Sequence, residues 1–326
     1  MKKIRIGMVG TGFISHYHYQ GFRNIKNADI VGMCTHSNME KLKSMCDEWG
    51  IKAYKGFDEM VEDPDIDALI LGSVTSEHYE QIIKAAEKGK HLLVEKPVVT
   101  DFAQLDRIDA VLREKGVLLF PAHNFVYRDA LTEAKKIMES GALGRITYAA
   151  FISTHIISQD HSTGWRTQNG LSGGGALMDS GHHQVYMSLY LMGMPQKIQA
   201  FKSNLVLKKM EDEDIAQINM LYPDGTIGCI MQSWTSQFGS GINGIKIVGD
   251  KGEISITDGL YHNGSKIPAG VDYAESFANQ SQAFTDYIIN GTKPLSDLRD
   301  VRNTLKIING AYLSCKEERV VDLSHY

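Results

Sequence analysis

The chain has 326 residues, 43% of them hydrophobic and 22% charged, with a net charge of −5. That length predicts two domains at roughly 150 residues each. The composition is that of an ordinary globular protein, the acidic balance excludes a nucleic-acid surface, and no apolar run is long enough to span a bilayer.

Lys2 and Lys3 precede an apolar stretch as in a signal peptide, but Arg5 interrupts it and no cleavage site follows. IRIGMVG (4–10) reads instead as a buried strand, and 13–23 as a helix. A second strand follows at 28–34. The next helix opens with Ser37 and Glu40 at capping-box spacing and stops at Gly50. Strands at 67–73, 91–96 and 117–122 alternate with helices ending near Gly89 and covering 101–115. This alternation predicts a doubly wound parallel sheet, a Rossmann domain over residues 1–123.

Beyond Asn124 the pattern changes. Helices are expected at 129–140, 177–192, 281–290 and 297–317, with strands at 145–156, 197–207, 214–222, 226–234, 244–249 and 253–258. PDG (223–225) and GDKG (249–252) are turn signals. Residues 124–326 thus read as an α+β domain with a large, mostly antiparallel open sheet. Cys34, Cys46, Cys229 and Cys315 show no metal or redox spacing and read as reduced thiols, which places the protein in the cytoplasm.

The turn GTGFIS (10–15) joins the first strand to the first helix. Gly10 permits a tight turn, Gly12 lets a pyrophosphate approach the backbone, and the helix start supplies amide donors. Thr11, Phe13 and Ile14 belong to the same dinucleotide turn. Ser15 stands at the third glycine position. A carboxylate is expected at the end of the second strand to grip the ribose. The chain has Cys34-Thr35-His36-Ser37 there, whose hydroxyls and imidazole suit a 2′-phosphate and lean the reading toward NADP over NAD.

In GWRTQNGLSGGGALMDSGHHQ (164–184), Asp179 and His183 stand four apart and are expected on one helix face. A carboxylate beside an imidazole suits a general base that takes a proton from an alcohol. The preceding glycines are read as permitting close backbone approach to a ligand. Lys96, at the carboxyl end of a strand, can hydrogen-bond a substrate oxygen. The alternatives are a strand-end ion pair with Glu95 and an ordinary helix-start Asp and surface His.

The stretches VGTGFIS (9–15), GKHLLVEKP (89–97), AHNFVYR (122–128), SGGGALMDSGHH (172–183) and AYLSC (311–315) together resemble the Gfo/Idh/MocA family. That resemblance covers nearly the whole chain. It implies hydride transfer with NAD(H) or NADP(H) at a secondary hydroxyl of a sugar or cyclitol, and a C-terminal sheet that builds homo-oligomers, dimers or tetramers. It puts the family lysine on Lys96 and its D-x-x-x-H pair on Asp179 and His183. Trp165 and Arg166 fall near cofactor and substrate, and Glu95 with the cofactor. Asn124, Tyr127 and His155 fall with the substrate. The loop usually read Thr-Pro-Asn and then His is Ser73-Val74-Thr75-Ser76-Glu77-His78 here, with His78 kept and the proline lost. Tyr186 stands where many members carry an acid, and Phe125 and Val126 where many dehydrogenases carry arginines. His155 and His161, with Asp179 and His183, form an alternative metal set whose spacing fits no zinc pattern, so no metal is expected. Two other functions compete: a lyase or glycoside-cleaving enzyme that recycles a tightly held NAD, and a dinucleotide-binding sensor without catalysis.

Overall fold

The structure is a computed structural model describing residues 3–157, 164–235 and 242–325. Its elements run β1 (Ile4–Val9), α1 (Phe13–Phe22), β2 (Ala28–Cys34), α2 (Met39–Trp49), β3 (Lys52–Ala53), α3 (Phe57–Glu62), β4 (Ala68–Leu71), α4 (Thr75–Glu87), β5 (His91–Val94), α5 (Phe102–Lys115) and β6 (Leu119–Pro121). After a 3-10 turn at Asn124–Tyr127 come α6 (Asp129–Glu139), β7 (Ile146–Thr154), α7 (Asn169–Ser172), α8 (Ala176–Asp179) and α9 (Gly181–Met192). Then follow β8 (Lys197–Ser203), β9 (Ile215–Leu221), β10 (Ile227–Ser233), β11 (Gly244–Gly249), β12 (Glu253–Ile256), β13 (Leu260–His262) and β14 (Ser265–Ile267). The chain closes with α10 (Tyr273–Asn290), α11 (Leu298–Glu317) and β15 (Val321–Asp322).

Two compact units result, Met1–Asn124 with Tyr273–Leu298, and Phe125–Asp272 with Arg299–Tyr326. The first holds a six-stranded sheet in the order β3-β2-β1-β4-β5-β6, with every pair parallel. Helices cover both faces, so the central strands are apolar throughout: Ile6, Met8, Leu69, Ile70, Leu92 and Leu93 are all buried. The strand order reverses between β1 and β4, the point where such sheets bind ligands beyond their carboxyl ends.

Residues 273–298, which the order of the chain left with the second half, pack on the first unit. α10 begins eight residues before the expected start at 281 and lies along α1. Gly21 permits the approach, since a Cβ there would stand 2.8 Å from Phe277 O. Tyr17 and His18 meet the Phe277 ring, and Phe22 meets Phe284. α2 also differs from expectation. Asn38, not Ser37, caps it by accepting the Lys41 N–H at 2.8 Å. Ser37 Oγ lies 3.1 Å from Thr35 Oγ1.

The second unit holds a nine-stranded sheet, β14-β13-β12-β11-β7-β10-β9-β8-β15, antiparallel except for the β7–β10 pair. β8 stops at Ser203 rather than 207. The buried Asp214 carboxylate draws the backbone N–H groups of Leu205, Val206 and Leu207 into a turn there. The helix expected over 177–192 is two helices, α8 and α9, interrupted at Ser180. α9 lies against β7 and β10.

Candidate active site

In the first unit, Gly10 has φ +99°, and a Cβ on it would come within 2.6 Å of Gly72 O. Glycine is therefore required there by the fold itself. Ser15 is buried and donates its hydroxyl to Gly10 O at 2.9 Å, which locks the turn. Gly12 is different. Its φ of −69° and ψ of −179° suit any residue, and a Cβ there would meet nothing within 4 Å. No side chain caps α1 at this point. An open cradle at an uncapped helix start fits the pyrophosphate of a dinucleotide. Thr11 is buried, Ile14 half-buried and Phe13 exposed along the same turn.

The other candidates follow the neighbouring strand ends. Thr35, His36 and Ser37 follow β2, and Ser73 and Val74 follow β4, with Thr75 opening α4. His78 is buried between two loops, its Nδ1 2.9 Å from Pro97 O and its Nε2 3.2 Å from Ser73 O. Burial holds its pKa below the ordinary value, against the pull of the Pro97 carbonyl. His78 thus ties the loop after β4 to the loop carrying Lys96.

Glu95 and Lys96 lie just past β5, which ends at Val94 and not at 96. Glu95 Oε1 meets Nε2 of the fully buried His18 at 2.8 Å, and Oε2 accepts the Lys96 N–H at 3.2 Å. The Lys96 ammonium stands near His123, whose pKa burial and then that charge hold down at about 3. His18, which the sequence alone did not single out, anchors the Glu95 carboxylate. Its spacing with Ser15 and Phe22 on the buried face of α1 was the available signal.

Asn124, expected at the substrate, is buried and donates its side-chain amide to Ser276 of α10 at 2.9 Å.

In the second unit, Tyr127 is buried at the end of the 3-10 turn. Asp179 ends α8 and accepts Arg166 Nε at 2.9 Å. Arg166 also lies over the Trp165 ring. His155 is half-buried just after β7. Burial holds its imidazole below the ordinary value, while the nearby Asp179 carboxylate works the other way. His161 lies outside the described residues.

His183 lies in the first turn of α9, not on a helix continuous with Asp179 as expected. Its Nδ1 is 2.6 Å from the Tyr186 hydroxyl, which also accepts the Phe125 N–H at 3.2 Å. The Phe125 ring stacks on the imidazole at 4.4 Å. Tyr186 and Phe125 therefore hold the His183 ring.

The glycine run has a structural cause, which corrects the ligand-approach reading. A Cβ on Gly174 would stand 2.3 Å from the Tyr312 hydroxyl, and one on Gly175 would stand 2.1 Å from Glu213 O. Glu213 O accepts the Ala176 N–H, and Glu213 Oε1 accepts Leu177 N–H at 2.8 Å and the Tyr312 hydroxyl at 3.2 Å. Glu213 thus fixes the start of the helix that ends in Asp179.

Burial, and then the Asp212 carboxylate, push the Glu213 carboxyl up from 4.5 to about 8. The native state then holds a proton that the unfolded chain has lost. Stability conferred by this group falls as pH rises through that window, by at most about 1.4 kcal/mol per pH unit. Glu213→Gln keeps the acceptor for Leu177 and has no proton to release. Between about pH 6 and about pH 8 the wild type should lose melting temperature relative to this variant. Parallel melting curves across that range would contradict the assignment.

Comparison with known proteins matches this architecture. Residues 4–123 match the family model described as "Oxidoreductase family, NAD-binding Rossmann fold", and residues 131–255 match the "GFO/IDH/MocA C-terminal domain". Myo-inositol 2-dehydrogenase of Thermotoga maritima is 27% identical over 337 residues, covering 98% of each chain. The scyllo-inositol 2-dehydrogenase (NAD(+)) of Bacillus subtilis is 25% identical over 329 residues, covering 94% of this chain and 91% of its own. A solved levoglucosan dehydrogenase in complex with NADH and levoglucosan shares the fold with TM-score 0.88 and 22% identity, over 99% of this chain and 100% of that one. The chain belongs to the GFO/IDH/MocA oxidoreductase family.

Proposed function

We propose that the protein is a nicotinamide-dependent oxidoreductase acting on a secondary hydroxyl or ketone of a neutral sugar, sugar derivative or cyclitol. The observation that carries this reading is the row of carboxyl strand ends at the β1–β4 reversal. There an open glycine cradle and a lysine follow strands of one sheet. Gly10 to Ile14 would hold the pyrophosphate, and the loops after β2 and β4 the adenosine and its ribose. The cofactor, NAD or NADP, supplies the hydride acceptor or donor. The relatives' activities on inositols and levoglucosan point to the same substrate class.

Lys96 hydrogen-bonds the substrate oxygen and stabilises its developing negative charge. His183, oriented by Tyr186 and Phe125, takes or returns the hydroxyl proton. Asp179 holds Arg166, and their opposite charges leave little excess for an anionic substrate, which favours a neutral polyol. Trp165 frames Arg166.

The outward face of the second sheet supports a homo-oligomer. Tyr148, Ile227 and Leu221 are exposed and paired across β7, β10 and β9 in one row, with Phe201 exposed on β8. Among the described residues, no helix is long and apolar enough to cross a membrane.

The test is incubation with NAD or NADP and a panel of polyols while following absorbance of the reduced nicotinamide. Turnover on at least one inositol or anhydrosugar is expected. Cofactor binding without reduction across the panel, or product formed with no net reduced cofactor, would count against this reading.

A further inference from the structure

The loop after β2 carries no carboxylate, yet one stands beside it. Glu77, in the first turn of α4, places Oε1 3.4 Å from His36 Nε2. Its other oxygen accepts Gln81 Nε2 at 3.1 Å. Gln81 is itself fixed, since its Oε1 accepts the Ser73 hydroxyl at 2.6 Å. A chain of hydrogen bonds therefore runs from the loop after β4 to a carboxylate facing the loop after β2. The same charge reaches Cys34, the last residue of β2, whose thiol is pushed up to about 12 by burial, then Cys46, then Glu77.

The contact with His36 does not occupy Glu77 firmly. The His36 side chain is 72% exposed, and an exposed pair of this kind contributes little. Glu77 is anchored on its other side, by Gln81. When His36 swings into solvent, a half-buried carboxylate with one oxygen tied and the other available remains at the end of β2. An acid at that strand end usually comes from the strand's own loop. Here it comes from the neighbouring helix. Thr35 and Ser37, whose hydroxyls would suit a 2′-phosphate, are hydrogen-bonded to each other.

We propose that Glu77 is the residue that selects the cofactor, accepting a hydrogen bond from the 2′-hydroxyl of the adenosine ribose and repelling a 2′-phosphate, so that the chain takes NAD in preference to NADP. This rests on the dinucleotide site proposed above. It reverses the lean toward NADP that the loop residues alone produce.

The experiment is calorimetric titration of the full chain with NAD and with NADP, for the wild type, Glu77→Gln and His36→Ala. None of these needs the substrate. NAD should bind at least about tenfold more tightly than NADP to the wild type, the factor expected from one charge-assisted hydrogen bond. Glu77→Gln should reduce that ratio by about tenfold with an unchanged melting curve, and His36→Ala should not reduce it. Equal or tighter binding of NADP to the wild type overturns the inference, as does a ratio that Glu77→Gln leaves unchanged. Failure of both dinucleotides to bind is a distinct result, and it overturns the dinucleotide reading itself together with this one.

Discussion

Lys96→Met is expected to lower kcat on any accepted polyol by about 10³-fold, while its affinity for the dinucleotide changes by less than about threefold. Methionine keeps much of the aliphatic stem and removes the ammonium. What is lost is the group proposed to stabilise charge on the substrate oxygen during transfer. That interaction is stronger in the transition state than before it, so the loss appears in kcat. The fold should survive. Lys96 is only half-buried, and the loop beneath it is held by other residues: His18 on Glu95, and His78 on Pro97 and Ser73. Steady-state kinetics with calorimetry of dinucleotide binding checks both halves. A variant that keeps more than half the wild-type rate would remove Lys96 from the mechanism.

Gly12→Val should weaken dinucleotide binding by at least about 10²-fold, while costing the fold no more than a lost helix cap, about 1 kcal/mol. The backbone at Gly12 is extended, and a Cβ there meets nothing of the protein within 4 Å. No clash within the protein requires glycine at this position, so a loss of binding of that size comes from the ligand. Gly10→Ala provides the contrast. Gly10 has φ +99° and faces Gly72 O, so that substitution should damage folding as well as binding. Thermal melting and a binding titration separate the two effects. A Gly12→Val variant that binds NAD and NADP as well as the wild type would show that the cradle holds something else.

The parallel sheet was legible because its strands are buried on both faces and so read as apolar runs, as in IRIGMV, ALIL and HLLV. The short elements were not legible. β3 is two exposed residues, and β13, β14 and β15 have three or fewer each. The first turns of α10 carry a pattern whose partner, α1, lies some 250 residues earlier, and no local window records that pairing.

The site divides in the same way. The candidates Gly10, Gly12, Lys96, Asp179 and His183 stand out in the sequence because short motifs carry them. Their supports do not, because the partners are distant in sequence: His18 with Glu95, Glu213 with Leu177, Tyr186 with Phe125, His36 with Glu77. The run Gly173-Gly174-Gly175 shows the limit clearly. Glycines announce that something comes close, and here Tyr312 and Glu213 fill that place.

Deuterium at the carbinol carbon of an accepted polyol provides the most direct measurement of the proposed chemistry. After incubation with the protein and oxidised cofactor, the label should appear on the nicotinamide ring of the reduced cofactor, and Lys96→Met should suppress its transfer. Label that stays with the sugar product or passes to water, with the cofactor bound but unlabelled, would contradict hydride transfer as the reaction this chain performs.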